Sequence, residues 1–239
     1  MVEDPALKQV VAHTYEAGIR GTVPLGAKKG RIDWSFSAFT TDSTDDILNV
    51  ASPIIGRSFF QNVGTTRRQG IEASATYQSD RWNVFGSYSL VNATFRGTLT
   101  LVSANNPFAE DGLITVQPGD HLPRVPRHRF KAGAEYAVFD NWKVGADVIV
   151  TSGQYFLGDE ANLNPKLPGY WVANLHSNYQ ISKNVEVFGT VRNLFDRRYY
   201  TMGTFFSTEE AAAIVNLSDP RTLSPAAPRA FYAGLRGKF

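Results

Sequence analysis

The chain has 239 residues, of which 13% are aromatic and 19% charged, whereas about a quarter of residues are charged in an ordinary soluble domain. Its 24 basic and 22 acidic residues give a net charge of +2, which is too balanced for a general nucleic-acid-binding surface. Cysteine is absent, which excludes disulfides and thiolate metal sites, and no run of 18 apolar residues predicts a transmembrane helix.

Apolar and polar residues alternate in nine segments, which is the pattern of strands whose two faces meet different environments. The predicted strands cover residues 14–21, 31–38, 70–77, 82–91, 129–136, 142–151, 171–179, 185–192 and 229–239. In the last segment, Phe231, Leu235 and the terminal Phe239 share one face. Strands of roughly ten residues rise about 3.3 Å per residue, so they can cross the apolar band of about 25 Å of an outer-membrane barrel.

The connections between these segments alternate in length without exception. Short links at residues 24–30, 78–81, 140–141 and 181–184 separate long segments around residues 42–69, 97–127, 152–169 and 196–228. This sorting is typical of an up-and-down barrel with short turns at one end and long loops at the other. The sequence therefore predicts an all-β, antiparallel up-and-down transmembrane β-barrel segment. A soluble β-sandwich binding module is the alternative.

Nine is an odd number of strands, whereas single-chain bacterial barrels have even numbers so that both chain ends lie on the periplasmic side. An unclosed sheet in lipid leaves unpaired edge groups, which cost several kcal/mol each. The first five residues also lack the basic and apolar regions of a secretory signal. We therefore expect an incomplete barrel, with residues 1–239 as the C-terminal portion of a larger one.

Four motifs resemble the closing half of the barrel of TonB-dependent outer-membrane receptors of the siderophore type. They are residues 62–72 (NVGTTRRQGIE), 122–129 (LPRVPRHR), 191–200 (VRNLFDRRYY) and 228–239 (PRAFYAGLRGKF). The resemblance covers the chain from about Pro5 onward and implies a plugged barrel of about 22 strands, of which these are the last nine. Neither the N-terminal plug domain nor the TonB-contacting segment before it is recognisable, so we do not expect this chain alone to perform active transport.

The resemblance implies uptake of a ferric siderophore across the outer membrane of a Gram-negative cell. The siderophore is cargo, so the resemblance implies no catalysed reaction and no cofactor. The implied partners are outer-membrane lipid, the N-terminal barrel half and plug of the same receptor, TonB acting through that plug, and the barrel-assembly machinery, which would read Phe231, Leu235 and Phe239. No nucleic acid is expected. A passive porin-like barrel or an adhesin is the alternative within the membrane class.

Aromatic residues in the long loops are the candidates for ligand contact, and loop packing is their alternative role. These candidates are Tyr155, Phe156, Tyr170, Phe205 and Phe206. The four histidines, at 13, 121, 128 and 176, have no metal-ligand spacing, so no metal site is predicted. The sequence contains neither a nucleophile motif nor a phosphate-binding motif, so we do not predict an enzyme.

Three local patterns predict structure rather than chemistry. Asn193 to Asp196 is interpreted as a strand exit in which the asparagine and aspartate bind backbone groups. Arg67 and Arg68 are expected to pair with Glu72 or with an acid on another strand. A capping box that begins at Ser207 predicts a short helix in the last long loop.

Overall fold

The computed structural model describes residues 4–26, 29–51, 58–207 and 219–238, whose regular structure consists of fifteen β-strands. In chain order these are β1 (Val11–Pro24), β2 (Arg31–Thr44), β3 (Ile47–Ala51), β4 (Ser58–Asn62), β5 (Thr66–Gln78), β6 (Trp82–Phe95), β7 (Leu99–Val102), β8 (Leu113–Val116), β9 (His128–Phe139), β10 (Trp142–Thr151), β11 (Tyr170–Ser182), β12 (Val185–Arg192), β13 (Tyr200–Phe205), β14 (Arg221–Pro225) and β15 (Ala230–Gly237). Within the described ranges, no helix is long and apolar enough to cross a membrane.

Nine long strands form one antiparallel sheet in the order β1-β2-β5-β6-β9-β10-β11-β12-β15. All nine strands predicted from the sequence are confirmed, and consecutive long strands are neighbours, as the up-and-down topology requires. The sheet has β1 and β15 as its two edges, so the barrel is not closed. The sandwich alternative needs a second sheet packed on this one, and the described residues contain none.

The four long loops connect alternate pairs of these strands at one end of the sheet. We call residues 45–65 the first loop, 96–127 the second, 152–169 the third and 193–229 the fourth. Three of these loops contain short hairpins that the nine predicted strands do not include: β3-β4 in the first loop, β7-β8 in the second and β13-β14 in the fourth. These strands have four to six residues each, which is too short for alternation to identify them.

Several long strands also extend beyond their predicted bounds toward the long loops. There β2 and β5 remain paired although polar residues occupy both faces, as where Arg67 of β5 contacts Asp42 of β2. Backbone pairing therefore continues past the point where the hydropathy pattern stops.

The register aligns the apolar residues of neighbouring strands into one continuous face. One row runs across six strands, from Phe36 through Ala73, Tyr88, Phe130 and Val150 to Trp171. The adjacent row on the other face contains Ser37, Glu72, Ser89, Arg129, Thr151 and Tyr170. The sheet thus separates an apolar face from a polar face across its whole width, as the alternation in the sequence predicts.

Among the rings on the polar face, those of Phe85 and His176 lie against glycines of the neighbouring strand. A Cβ atom on Gly133 would lie 2.7 Å from the Phe85 ring, and one on Gly145 would lie 2.4 Å from the His176 ring. The Lys131 ammonium lies 5.4 Å above the centre of the Phe85 ring. Each ring therefore needs a glycine beneath it in order to lie along the wall.

The buried apolar core lies in the long loops rather than on the sheet. Val50 of β3, Phe95 at the end of β6, Leu101 of β7, Ile114 of β8 and Ala161 of the third loop belong to one cluster. On the apolar face of the sheet, by contrast, Ile19 is 63% exposed and Leu235 is 74% exposed. The described residues therefore leave that face uncovered, which is the arrangement of a surface that contacts lipid.

Candidate functional site at the long-loop end

The base of the fourth loop is closed by Asn193, which has a φ of 50° and is buried. Its Nδ2 donates to the carbonyls of Arg197 (2.9 Å) and Ala227 (3.2 Å), and its Oδ1 accepts from the Arg197 amide (3.0 Å). Asp196 Oδ1 accepts from the Arg229 amide at 2.9 Å. The interpretation of this motif as a backbone-binding strand exit is confirmed.

The two arginines of the 62–72 motif each bind an acid on another segment. Arg67 makes a two-point contact with Asp42 of β2, at 2.7 and 2.8 Å. Arg68 binds Asp46 of the first loop at 2.9 Å. The expected pairing with an acid from another strand is confirmed for Arg67, and Glu72 is not the partner of either arginine. The Arg68–Asp46 pair ties the first loop to β5, whereas the Arg67–Asp42 pair joins β5 to β2.

The third loop is joined to the second loop by a buried polar network. Asp159 Oδ1 accepts from the Leu163 amide (2.9 Å), Asn164 Nδ2 (3.0 Å) and Asn106 Nδ2 (3.3 Å), while its Oδ2 accepts from the Asn164 amide (3.0 Å). Ser103 Oγ donates to the Gly158 carbonyl at 2.6 Å. Because a buried carboxylate is tolerated only when donors surround it, this network fixes the two loops against each other.

On its other side the third loop packs against the fourth. The Phe156 and Phe205 rings stack with their centroids 5.3 Å apart, and Leu167 joins them in a small buried cluster. The Leu157 amide donates to the Gly203 carbonyl at 3.0 Å. The third loop therefore contacts the loops on both sides of it.

The five candidate aromatic residues lie in different environments. Phe156 and Phe205 are buried against each other, so in this conformation they pack the loops. Tyr170 stacks on Tyr199 with centroids 4.3 Å apart, and Phe206 is half-buried, with its amide donating to the Pro220 carbonyl at 2.9 Å. Ligand contact by these residues stays a prediction.

Tyr155, the remaining candidate, belongs to a cluster of rings and cations. Its ring stacks on His121, with centroids 6.0 Å apart, and the Lys166 ammonium lies 4.7 Å above its centre. Burial and the nearby Asp159 carboxylate raise the pKa of the Tyr155 phenol. Burial, together with the positive charges of Lys166 and Arg127, lowers the pKa of His121. The cluster thus places two flat rings beside the Lys166 cation, and it can offer a ligand both stacking and one positive charge.

A concavity of about 500 Å³ lies on the polar face below the loops. Glu72, Arg129 and Lys131 place charges in it, and hydroxyl groups from alternate positions of neighbouring strands form most of the remaining wall. Those hydroxyl residues are Ser35, Ser37, Ser74, Ser87, Ser89, Thr151 and Tyr170. In the described ranges, no three histidine or carboxylate side chains lie together as a metal site. The concavity can therefore hold a polar or charged occupant through hydrogen bonds.

The family model for the TonB dependent receptor-like beta-barrel matches residues 2–194. The chain belongs to this receptor family. Its curated relatives include the ferric-pyoverdine M114 receptor PbuA of Pseudomonas sp. (strain M114), 28% identical over 211 residues, and the metal-pseudopaline receptor CntO of Pseudomonas aeruginosa (strain UCBPP-PA14), 26% identical over 189 residues. These matches cover 85% and 78% of this chain but 23% and 24% of the relatives, so the chain spans about a quarter of their length.

Two solved receptor and transporter structures share the fold of this receptor barrel. The ferric-catecholate import receptor Fiu from Escherichia coli K12 has a TM-score of 0.65 and 23% identity, over 98% of this chain and 28% of that chain. The copper transporter OprC has a TM-score of 0.69 and 19% identity, over 98% of this chain and 32% of that chain. At these identities the likeness concerns the fold alone.

Sequence reasoning missed several residues of the receptor's long-loop end. His121 and Lys166 have no local pattern that pairs them with Tyr155, because the second and third loops meet only in the folded chain. The concavity of the polar face could have been predicted from the sequence, since hydroxyl residues occupy alternate positions in three neighbouring strands. In β15, Phe231 and Leu235 lie exposed on the apolar face, whereas Phe239 and most of the predicted helix, residues 208–218, lie outside the described residues. The assembly-signal role of the tail stays a prediction.

Proposed function

We propose that this chain forms part of an outer-membrane TonB-dependent receptor that imports a ferric siderophore. In this proposal the apolar face of the sheet contacts lipid, the polar face lines the lumen, and the four long loops face the cell exterior. The observation that supports it most directly is the register, which aligns the apolar residues of neighbouring strands into one uncovered face.

The names of the relatives support a siderophore as the cargo. PbuA is named for ferric pyoverdine, CntO for metal pseudopaline, and Fiu for import of a ferric catecholate. The same fold also occurs in a copper transporter, so fold alone does not select the cargo. Because the chain spans about a quarter of its curated relatives, the activity belongs to a larger assembly in this proposal.

The cluster of Tyr155, His121 and Lys166 is the part of the loops that best suits first contact with the cargo. Its two rings can stack on a flat ligand, and its cation can pair with a negative charge on that ligand. Below it, the concavity of the polar face offers hydroxyl and charged groups to a polar occupant, and we assign that position to the plug on which TonB acts. Bound cargo would therefore lie between the loops and the plug.

Uptake of iron-loaded siderophores by iron-starved cells tests the proposal. Cells that express the receptor should accumulate labelled iron from one siderophore class, and loss of TonB should abolish the accumulation. Uptake that persists without TonB would instead support a passive porin-like barrel. Absence of uptake for every class, with the protein assembled in the membrane, would contradict a siderophore receptor.

Two lysines provide a matched comparison within that experiment. Lys166→Gln should weaken siderophore binding about tenfold, because it removes the cation over the Tyr155 ring. Lys183→Gln changes an exposed lysine in a short turn at the opposite end of the sheet and should leave binding unchanged. Equal binding by both variants would exclude the Tyr155 cluster as the contact site.

A further inference from the structure

Glu160, in the middle of the third loop, is a buried carboxyl without a cationic partner. It is 2% exposed, and its Oε1 accepts from the Gly158 amide at 3.1 Å. None of the ion pairs among the described residues includes it. An ionised carboxylate in such a position is costly, because burial removes its hydration and no cation compensates for the loss.

The groups around Glu160 do not compensate for that cost. Asp159, on the same loop, is a negatively charged neighbour, and its charge disfavours ionisation of Glu160. The second loop brings Ser103 and Asn106 to the neighbouring Gly158, and the fourth loop brings Phe205. None of these three side chains titrates. The neutral, protonated carboxyl is therefore the form that fits this site.

The segment from Gly158 to Glu160 is also the place where three loops meet. The Gly158 carbonyl accepts from Ser103 Oγ at 2.6 Å and from Asn106 Nδ2 at 2.8 Å, both in the second loop. A Cβ atom on Gly158 would lie 3.3 Å from the Phe205 ring of the fourth loop. A small displacement of this segment therefore disturbs the contacts on both sides.

We propose that Glu160 is a proton-controlled latch for the long loops of the receptor. When its carboxyl is protonated, the third loop stays docked and holds the second and fourth loops in one assembly. When the carboxyl loses its proton to solvent, the segment from Gly158 to Glu160 loosens and the loops separate more often. The latch rests on the proposed function, because it would regulate the loops that first contact the cargo. The docking of the loops does not itself depend on the cargo.

The titration of Glu160 agrees with this geometry. Burial, with a smaller contribution from Asp159, raises the pKa of Glu160 from 4.5 to about 7, against the opposing backbone hydrogen bonds. Because the pKa is higher in the docked loop than in the free one, docking is strongest below pH 4.5 and weakens as the pH rises to about 7. The docking equilibrium should fall by on the order of a hundredfold over that interval.

Hydrogen exchange of the ligand-free, membrane-embedded receptor tests the latch. Protection of the third loop in the wild type should fall as the pH rises from acidic to alkaline values, beyond the change in intrinsic exchange. Glu160→Gln, which resembles the protonated form, should keep its protection across that range. Glu110→Gln, in which an exposed carboxyl of the second loop is changed, should follow the wild type.

Two outcomes would overturn the latch. One is equal loss of protection in the wild type and in Glu160→Gln, and the other is wild-type protection that does not depend on pH. If Glu160→Gln fails to assemble, Glu160→Met replaces it, since methionine cannot ionise and should also keep its protection across the pH range. The infrared carboxyl band of the wild type is then the second measurement, because the latch requires a carboxyl that titrates near neutrality. Since the cargo is absent throughout, a receptor that imports nothing can still show the latch, and a receptor without the latch can still import.

Discussion

The sheet and its long loops are stabilised in opposite ways. The loops contain the buried apolar cluster and the buried polar network, so their contacts are satisfied within the chain. The long strands of the sheet are paired with their neighbours except along the free edges of β1 and β15, but the two faces have no packing layer in the described residues. The loops therefore have a buried core of their own, whereas the described residues leave both faces of the sheet without one.

The largest expected effect follows from removing the centre of the loop core. Phe95→Ala should destabilise the packing of the loops by about 3–5 kcal/mol, because Phe95 is fully buried where β6 enters the second loop. Hydrogen exchange should increase in the first three loops, while the barrel keeps its heat-modifiable migration. Phe108→Ala is the control, since Phe108 is 58% exposed in the same loop. Loss of the barrel itself would contradict the separation of the two regions.

Adjacent residues of β10 test which face of the sheet meets lipid. Val148→Arg should reduce membrane assembly, at a cost of about 2–4 kcal/mol, because Val148 pairs with Ala132 and Ala173 on the apolar face. Ile149→Arg should assemble nearly normally, since Ile149 lies beside the charged concavity of the polar face. The yield of folded barrel in outer-membrane fractions measures both. The opposite order of the two yields would reverse our assignment of the faces.

The junction between sheet and loops should give an intermediate effect. Asn193→Ala removes two donated bonds and one accepted bond at the base of the fourth loop, at a cost of about 1–3 kcal/mol. Limited proteolysis measures the effect, and the fourth loop should be cleaved faster in this variant than in the wild type. Asn141→Ala, which removes one exposed hydrogen bond in a short turn, should leave the loop resistant. If both variants are cleaved alike, Asn193 does not hold the base of the loop.

The smallest effect should come from the exposed pair beside β14. Arg221 binds Asp219 at 2.6 Å and lowers the pKa of that carboxyl to about 2. Arg221→Gln should return the pKa of Asp219 toward its ordinary 3.8, as measured by carboxyl NMR, without a change in thermal stability at neutral pH. Any stabilisation from this pair is present at neutral pH and is lost as the pH falls through 3.8 toward 2. A clear drop in thermal stability at neutral pH would show that the fourth loop depends on its surface charges.

The same contrast explains what could be predicted from the sequence. The nine long strands and their faces are encoded locally, because each strand alternates over enough residues to define its own faces. The loop core is encoded by contacts distant in the chain, such as Asn106 with Asp159, which are 53 positions apart. No local pattern pairs such residues, and none distinguishes the buried Phe156 from the half-buried Tyr155 beside it.

The rings that lie against Gly133 and Gly145 have a consequence for the shape of the polar face. A Cβ atom at either position would lie 2.7 Å from the Phe85 ring or 2.4 Å from the His176 ring, and 2.9 Å from a backbone carbonyl of the neighbouring strand. An alanine there would therefore require both the ring and the local strand pairing to shift. The relief of this part of the wall is thus set by the absence of two methyl groups, and a single substitution would change it without changing the charge of the face.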